Sequence, residues 1–222
     1  MKLGVISLGC DKATVDSERL VGDLVGHGAV VTPVLPEADV ILVNTCGFID
    51  AAKQESIDAI LAAAKLKEGG VKAVVAVGCL VQRYKQELAK EIPEVDLFLG
   101  FSELHHLVPE LAQRGLIADP VAAHPGVRQF LGTQSHVRYL KISEGCDHTC
   151  AFCAIPLMRG KHRSESRDRG WPPGARRAFH AGCAGAPGAA SAPASDRSRA
   201  GSACRCTERS AGSARSARPA AR

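Results

Sequence analysis

Three cysteines fall close together in Cys146-Asp-His-Thr-Cys150-Ala-Phe-Cys153, a C-x₃-C-x₂-C run. Three thiolates on one short loop can hold three corners of a four-iron cluster and leave the fourth iron free for a substrate-like ligand. A structural zinc ion more often takes four ligands, drawn from paired C-x₂-C elements. His148 lies inside the loop, but a single imidazole there more often faces solvent, and we assign it no ligand role. Three further cysteines, Cys10, Cys46 and Cys79, are widely spaced. Their number and spacing suit a cluster with one open iron better than zinc. Free cysteines buried as small hydrophobes would leave the same trace.

The elements that must carry these residues are legible from periodicity. Lys2–Leu8 is an apolar run of strand length ending in Gly9-Cys10, and Ala38–Val43 leads into Asn44-Thr45-Cys46-Gly47. Val71–Val77 ends in Gly78-Cys79, while Val30–Val34 and Val95–Leu99 complete five predicted strands. Between them lie helical stripes: Leu20, Val21, Leu24 and Val25; Ile57, Ile60, Leu61 and Ala64; Tyr84, Leu88 and Ile92. Leu104, Leu107, Val108 and Leu111 mark a last helix. Nearly continuous apolar strands alternating with amphipathic helices imply an α/β fold, an open parallel sheet covered on both faces. Ligand sites of such sheets collect at the C-terminal strand ends, where loops meet helix N-termini. Cys10, Cys46 and Cys79 all fall there, each beside a glycine that lets the backbone approach a bulky group.

We divide the chain into an α/β domain at 1–115, a Pro/Gly-marked linker at 116–135, a new unit starting at 136–164 with a strand over Val137–Ile142, and a tail at 165–222. Beyond Met158 there is no Leu, Ile, Val, Met or Tyr, and Trp171 and Phe179 are the tail's only large apolar side chains. Such a composition cannot offset the entropy of ordering a backbone, so disorder is expected. The Ala/Arg/Ser/Gly/Pro bias resembles GC-rich coding DNA read out of frame, and we expect a frameshift near Ser164. Cys183, Cys204 and Cys206 would then be accidental.

Of the 28 basic and 23 acidic residues, 11 and 4 lie in the tail. The first 164 residues therefore hold 17 basic against 19 acidic side chains and are nearly neutral. Nucleic-acid binding gains little support from a pI that the tail creates. With no signal peptide and no apolar run of about 18 residues, neither secretion nor a membrane partner is expected. Nine cysteines in a cytoplasmic protein point to metal or catalysis before disulfides.

The C-x₃-C-x₂-C run at the end of a predicted first barrel strand resembles the radical S-adenosylmethionine (SAM) superfamily. A three-cysteine α/β domain ahead of it resembles the methylthiotransferase family. Five strings carry the likeness: Ser7-Leu-Gly-Cys10-Asp-Lys, Val15-Asp-Ser-Glu18, Val43-Asn-Thr-Cys-Gly-Phe-Ile-Asp50, Tyr139-Leu-Lys-Ile-Ser-Glu-Gly-Cys146 and Cys153-Ala-Ile-Pro-Leu-Met-Arg-Gly-Lys161. They extend from residue 1 to about 164 and are most similar to the branch that methylthiolates an aspartate of small-subunit ribosomal protein number twelve.

The resemblance implies two [4Fe-4S] clusters, an auxiliary one on Cys10, Cys46 and Cys79 and a SAM-cleaving one on Cys146, Cys150 and Cys153. It implies Phe152 as an aromatic near the bound SAM nucleoside, where ordinary loop packing is the competing explanation. Its partners would be the ribosome or that ribosomal protein, and an electron donor such as flavodoxin or ferredoxin. A complete (β/α) barrel takes on the order of 200 residues. The resemblance is therefore to the first strand and cluster loop of the barrel, and this chain is expected to be truncated and inactive alone. A tRNA-modifying methylthiotransferase and a non-catalytic iron–sulfur module built on 1–115 are the competing functions.

Overall fold

The computed structural model describes residues 1–117, 128–131 and 139–164. The rest of the predicted linker, the start of the Val137–Ile142 strand and the whole of 165–222, with its expected disorder and altered frame, lie outside the described residues.

Five parallel strands form one sheet: β1 (Lys2–Ser7), β2 (Val30–Val31), β3 (Val40–Thr45), β4 (Ala73–Gly78) and β5 (Leu97–Leu99), in the order β2-β1-β3-β4-β5. Leu3 pairs with Val40 and Ser7 with Asn44, while Thr45 pairs with Gly78, so β1, β3 and β4 end at nearly the same height. The order reverses between β1 and β3. That reversal makes the connections leave the two strands in opposite directions and opens a crevice at their C-terminal ends.

Side-chain alternation assigns the two faces. Ile41, Val43, Val74 and Ala76 pack with Ile60 of α2 (Asp50–Lys65) and with Leu80, Val81 and Leu88 of α3 (Cys79–Glu91). Val40, Leu42, Val75 and Val77 point the other way, onto Leu20, Val21 and Leu24 of α1 (Asp11–Gly26) and Leu107 and Leu111 of α4 (Leu107–Gln113). Every residue of β3 and β4 is buried, which is why Val40–Val43 and Ala73–Val77 read as unbroken apolar runs. Burying each Leu or Ile contributes about 1.5–3 kcal/mol.

Beyond the sheet, β6 (Ser143–Glu144) pairs antiparallel with β7 (Arg163–Ser164), and a short helix α5 (Ile155–Arg159) lies between them. This differs from the predicted strand over Val137–Ile142. Tyr139–Ile142 join no ladder; the pairing starts one residue later. Lys141 within this stretch is instead held by its ammonium in a buried pair with Asp16 of α1. β2 is likewise shorter than the predicted Val30–Val34, because Thr32 is the last residue to bond β1, through its N–H to Leu3 O.

Candidate functional site

The sheet's C-terminal edge carries the first cysteine set. Cys10 is the N-cap of α1 and has extended backbone, and Cys79 is the first residue of α3. Both therefore stand where a helix presents unpaired N–H groups and the positive end of its dipole, a setting that favours thiolates. Cys46 follows β3 directly. Its N–H donates to Ser56 Oγ at 2.9 Å, and the Ser56 hydroxyl donates back to its carbonyl at 3.0 Å, pinning the residue to α2.

Two glycines make this edge possible. Gly9 has φ +103°, and a Cβ there would lie 3.3 Å from Cys46 Sγ. Gly78 has φ +105°, and a Cβ there would lie 2.5 Å from the Thr45 carbonyl oxygen. Below them, the fully buried Asn44 amide donates to Ala13 O at 2.9 Å and to Ser17 Oγ at 2.8 Å, tying β3 to α1 under the crevice.

Exposure differs across the three thiols: Cys10 is exposed, Cys46 half-buried and Cys79 buried. Burial pushes the Cys79 thiol up, the nearby Arg159 guanidinium opposes this by charge and hydrogen bonding, and Cys46 and Cys10 push it further up. Cys10 and Cys46 are thus electrostatic neighbours of Cys79. Among the described residues no three Cys, His, Asp or Glu side chains converge tightly enough to hold a single metal ion. A four-iron cluster has a wider footprint, and an all-sulfur donor set is what such a cluster takes.

The second set lies on the loop between β6 and α5. Cys146 N–H donates to Gly160 O at 3.1 Å and Cys153 N–H to Cys150 O at 3.0 Å. Cys150 is exposed, Cys146 and Cys153 are half-buried, and Phe152 is 93% exposed, so its ring is open rather than packed into the loop. Leu157 and Ile142 are also exposed on this segment.

Sequence reasoning missed what joins the two sets. Asp16 Oδ1 accepts from Lys141 Nζ and Oδ2 from Arg159 Nη1, each at 2.5 Å. Glu144 pairs with both cations as well. Burial pushes the Glu144 carboxyl up, but its hydrogen bond to Lys141 and the charges of Arg159, Lys141 and Lys12 outweigh this and hold it below the usual range. Two residues on, buried Glu18 pairs with Arg128, accepts Leu131 N–H at 3.2 Å and gives its carbonyl to Gln129 N–H at 3.0 Å. One signal was present. Ala13, Asp16, Ser17, Leu20, Val21 and Leu24 form a single helical stripe, so Asp16 and Ser17 occupy positions that ought to be apolar.

Residues 2–100 match the family described as "Uncharacterized protein family UPF0004". The chain is 50% identical over 165 residues to the ribosomal protein uS12 methylthiotransferase RimO of Sulfurihydrogenibium sp. (strain YO3AOP1), covering 74% of this chain and 36% of that protein. It is 50% identical over 172 residues to RimO of Symbiobacterium thermophilum and 49% over 164 residues to RimO of Aquifex aeolicus (strain VF5), at 36% and 35% of their lengths. The chain thus spans about a third of the length of the curated relatives it matches. Over about three quarters of its own length the chain is thus similar to RimO proteins, and residues 2–100 carry the match to the UPF0004 family.

Proposed function

We propose that this chain is the cluster-binding front part of a radical SAM methylthiotransferase that modifies an aspartate of small-subunit ribosomal protein number twelve. Cys10, Cys46 and Cys79 would hold an auxiliary [4Fe-4S] cluster, and Cys146, Cys150 and Cys153 a second. The observation that carries this reading is the gathering of three thiols at one parallel-sheet edge, two of them at helix N-termini. Bound on the second loop, a four-iron cluster supplies the electron that cleaves SAM. The chain's own residues do the rest of the work assigned here. The α1 and α3 N-termini compensate thiolate charge, Ser56 orients Cys46, and the open ring of Phe152 is available to a nucleoside. The similarity to RimO supports the ribosomal substrate, and flavodoxin or ferredoxin fits as electron donor. The reduced thiols fit the cytoplasm, and among the described residues no helix is long and apolar enough to cross a membrane. With no Leu, Ile, Val, Met or Tyr after Met158 to build the core of a barrel, the chain as it stands is proposed to load clusters without completing turnover.

Anaerobic reconstitution with iron and sulfide tests this. The full chain should take up two four-iron clusters, and the C10A/C46A/C79A and C146A/C150A/C153A variants one each. SAM should perturb the electron paramagnetic resonance (EPR) spectrum only when Cys146, Cys150 and Cys153 are intact. Zinc in place of iron, or equal iron in the chain and both triple variants, would overturn the assignment.

A further inference from the structure

We propose that Arg159 is the positioning residue that fixes the second cysteine loop against the first cysteine site. Its guanidinium meets α1, β6 and the 3₁₀ turn after β5. Nη1 donates to Asp16 Oδ2 of α1 at 2.5 Å and to Glu144 Oε2 of β6 at 3.3 Å. The same group lies over the Phe101 ring, 4.1 Å from the centroid, in the 3₁₀ turn after β5. Arg159 itself closes α5, which follows the second cysteine loop after one residue and packs on α3.

The surroundings are built for a fixed charge. Lys141 Nζ takes the other oxygen of Asp16, so two cations and two carboxylates form a buried, neutral set. Such a set holds one geometry, because displacing a member leaves its partner buried and uncompensated. Arginine alone suits the position: a planar fork can stack on a ring while donating to carboxylates in its plane, and an ammonium cannot.

The docking role stands on contacts alone and is tested on the full chain. In the metal-free chain, hydrogen exchange followed by mass spectrometry should show R159M losing protection across 139–164 while β1, β3 and β4 keep theirs. Unchanged exchange in 139–164 would overturn the docking role. If R159M loses the sheet as well, R159K decides the matter, since it keeps the charge without the fork. Faster exchange confined to 139–164 supports the proposal, and wild-type exchange defeats it.

Discussion

Burial pushes the Cys79 thiol up on balance, and the Arg159 guanidinium, far along the chain, only tempers that rise. The same dependence on single side chains holds at Cys46. The Ser56 hydroxyl satisfies both its N–H and its carbonyl, and Ser56 is itself fully buried. Replacing Ser56 by Ala strands two backbone groups. The expected loss is about 1–3 kcal/mol, read as a lower urea midpoint, because a buried polar group without a partner forfeits its hydration. The cluster content of the C146A/C150A/C153A background should fall with it if Cys46 is a ligand. Gly78→Ala should be more harmful still. It combines the unfavourable φ of +105° with a Cβ set against the Thr45 backbone, and a loss of several kcal/mol is expected in the same titration.

At the scale of elements, the turn that follows β5 is held by one carboxylate. Glu103 accepts the Gly100 N–H at 3.0 Å and pairs with Lys85 of α3 at 2.7 Å, and so ties the 3₁₀ turn Phe101–His106 to that helix. The Lys85 hydrogen bond, followed by the Gly100 N–H, holds the Glu103 carboxyl below its ordinary 4.5. A carboxyl with a depressed folded value contributes stability above about 4.5, and loses it as pH falls through the folded value. Both side chains are more than a third exposed, so the contribution is modest, roughly 0.5 kcal/mol. Chemical denaturation of E103Q against the parent should therefore show a small deficit at pH 7 that shrinks as pH falls below about 4.5. A deficit that does not shrink with falling pH would mean that packing of the turn, not charge, is what Glu103 provides.

At the scale of the whole sheet, its central strands β3 and β4 are buried throughout, whereas the cysteine edge keeps Cys10 and several large apolar side chains exposed. Leu42 is 1% exposed at the centre of one face, and Leu42→Ala should cost about 2–5 kcal/mol by thermal or urea unfolding. Leu157, 66% exposed on α5, should change stability by less than about 0.5 kcal/mol when truncated to Ala. That contrast separates the sheet as folding unit from the edge as working surface. Phe48 and Ile49, next to Cys46, are more than half exposed, as is Phe152 beside Cys153. Large apolar side chains kept in solvent beside both thiol sets do little for folding, and their positions bear on what approaches the edge.

The strands and helices of residues 1–115, and the placing of Cys10, Cys46 and Cys79 at strand ends, were determined by the sequence alone. Periodicity is local: an apolar run such as Val71–Val77 can be buried on both sides only within a covered parallel sheet, and glycine-marked turns then locate its end. Ion pairing is not local. Asp16 meets Lys141 across 125 residues and Arg159 across 143, and no pattern along the chain records such a meeting. Only the tertiary structure decided the strand order, the β6–β7 pairing in place of a longer strand, and the joining of the two cysteine sets. Asp16 and Ser17 on an otherwise apolar helical stripe were the one trace of that joining. A polar side chain there announces that a partner exists, but the fold alone determines which residue it is.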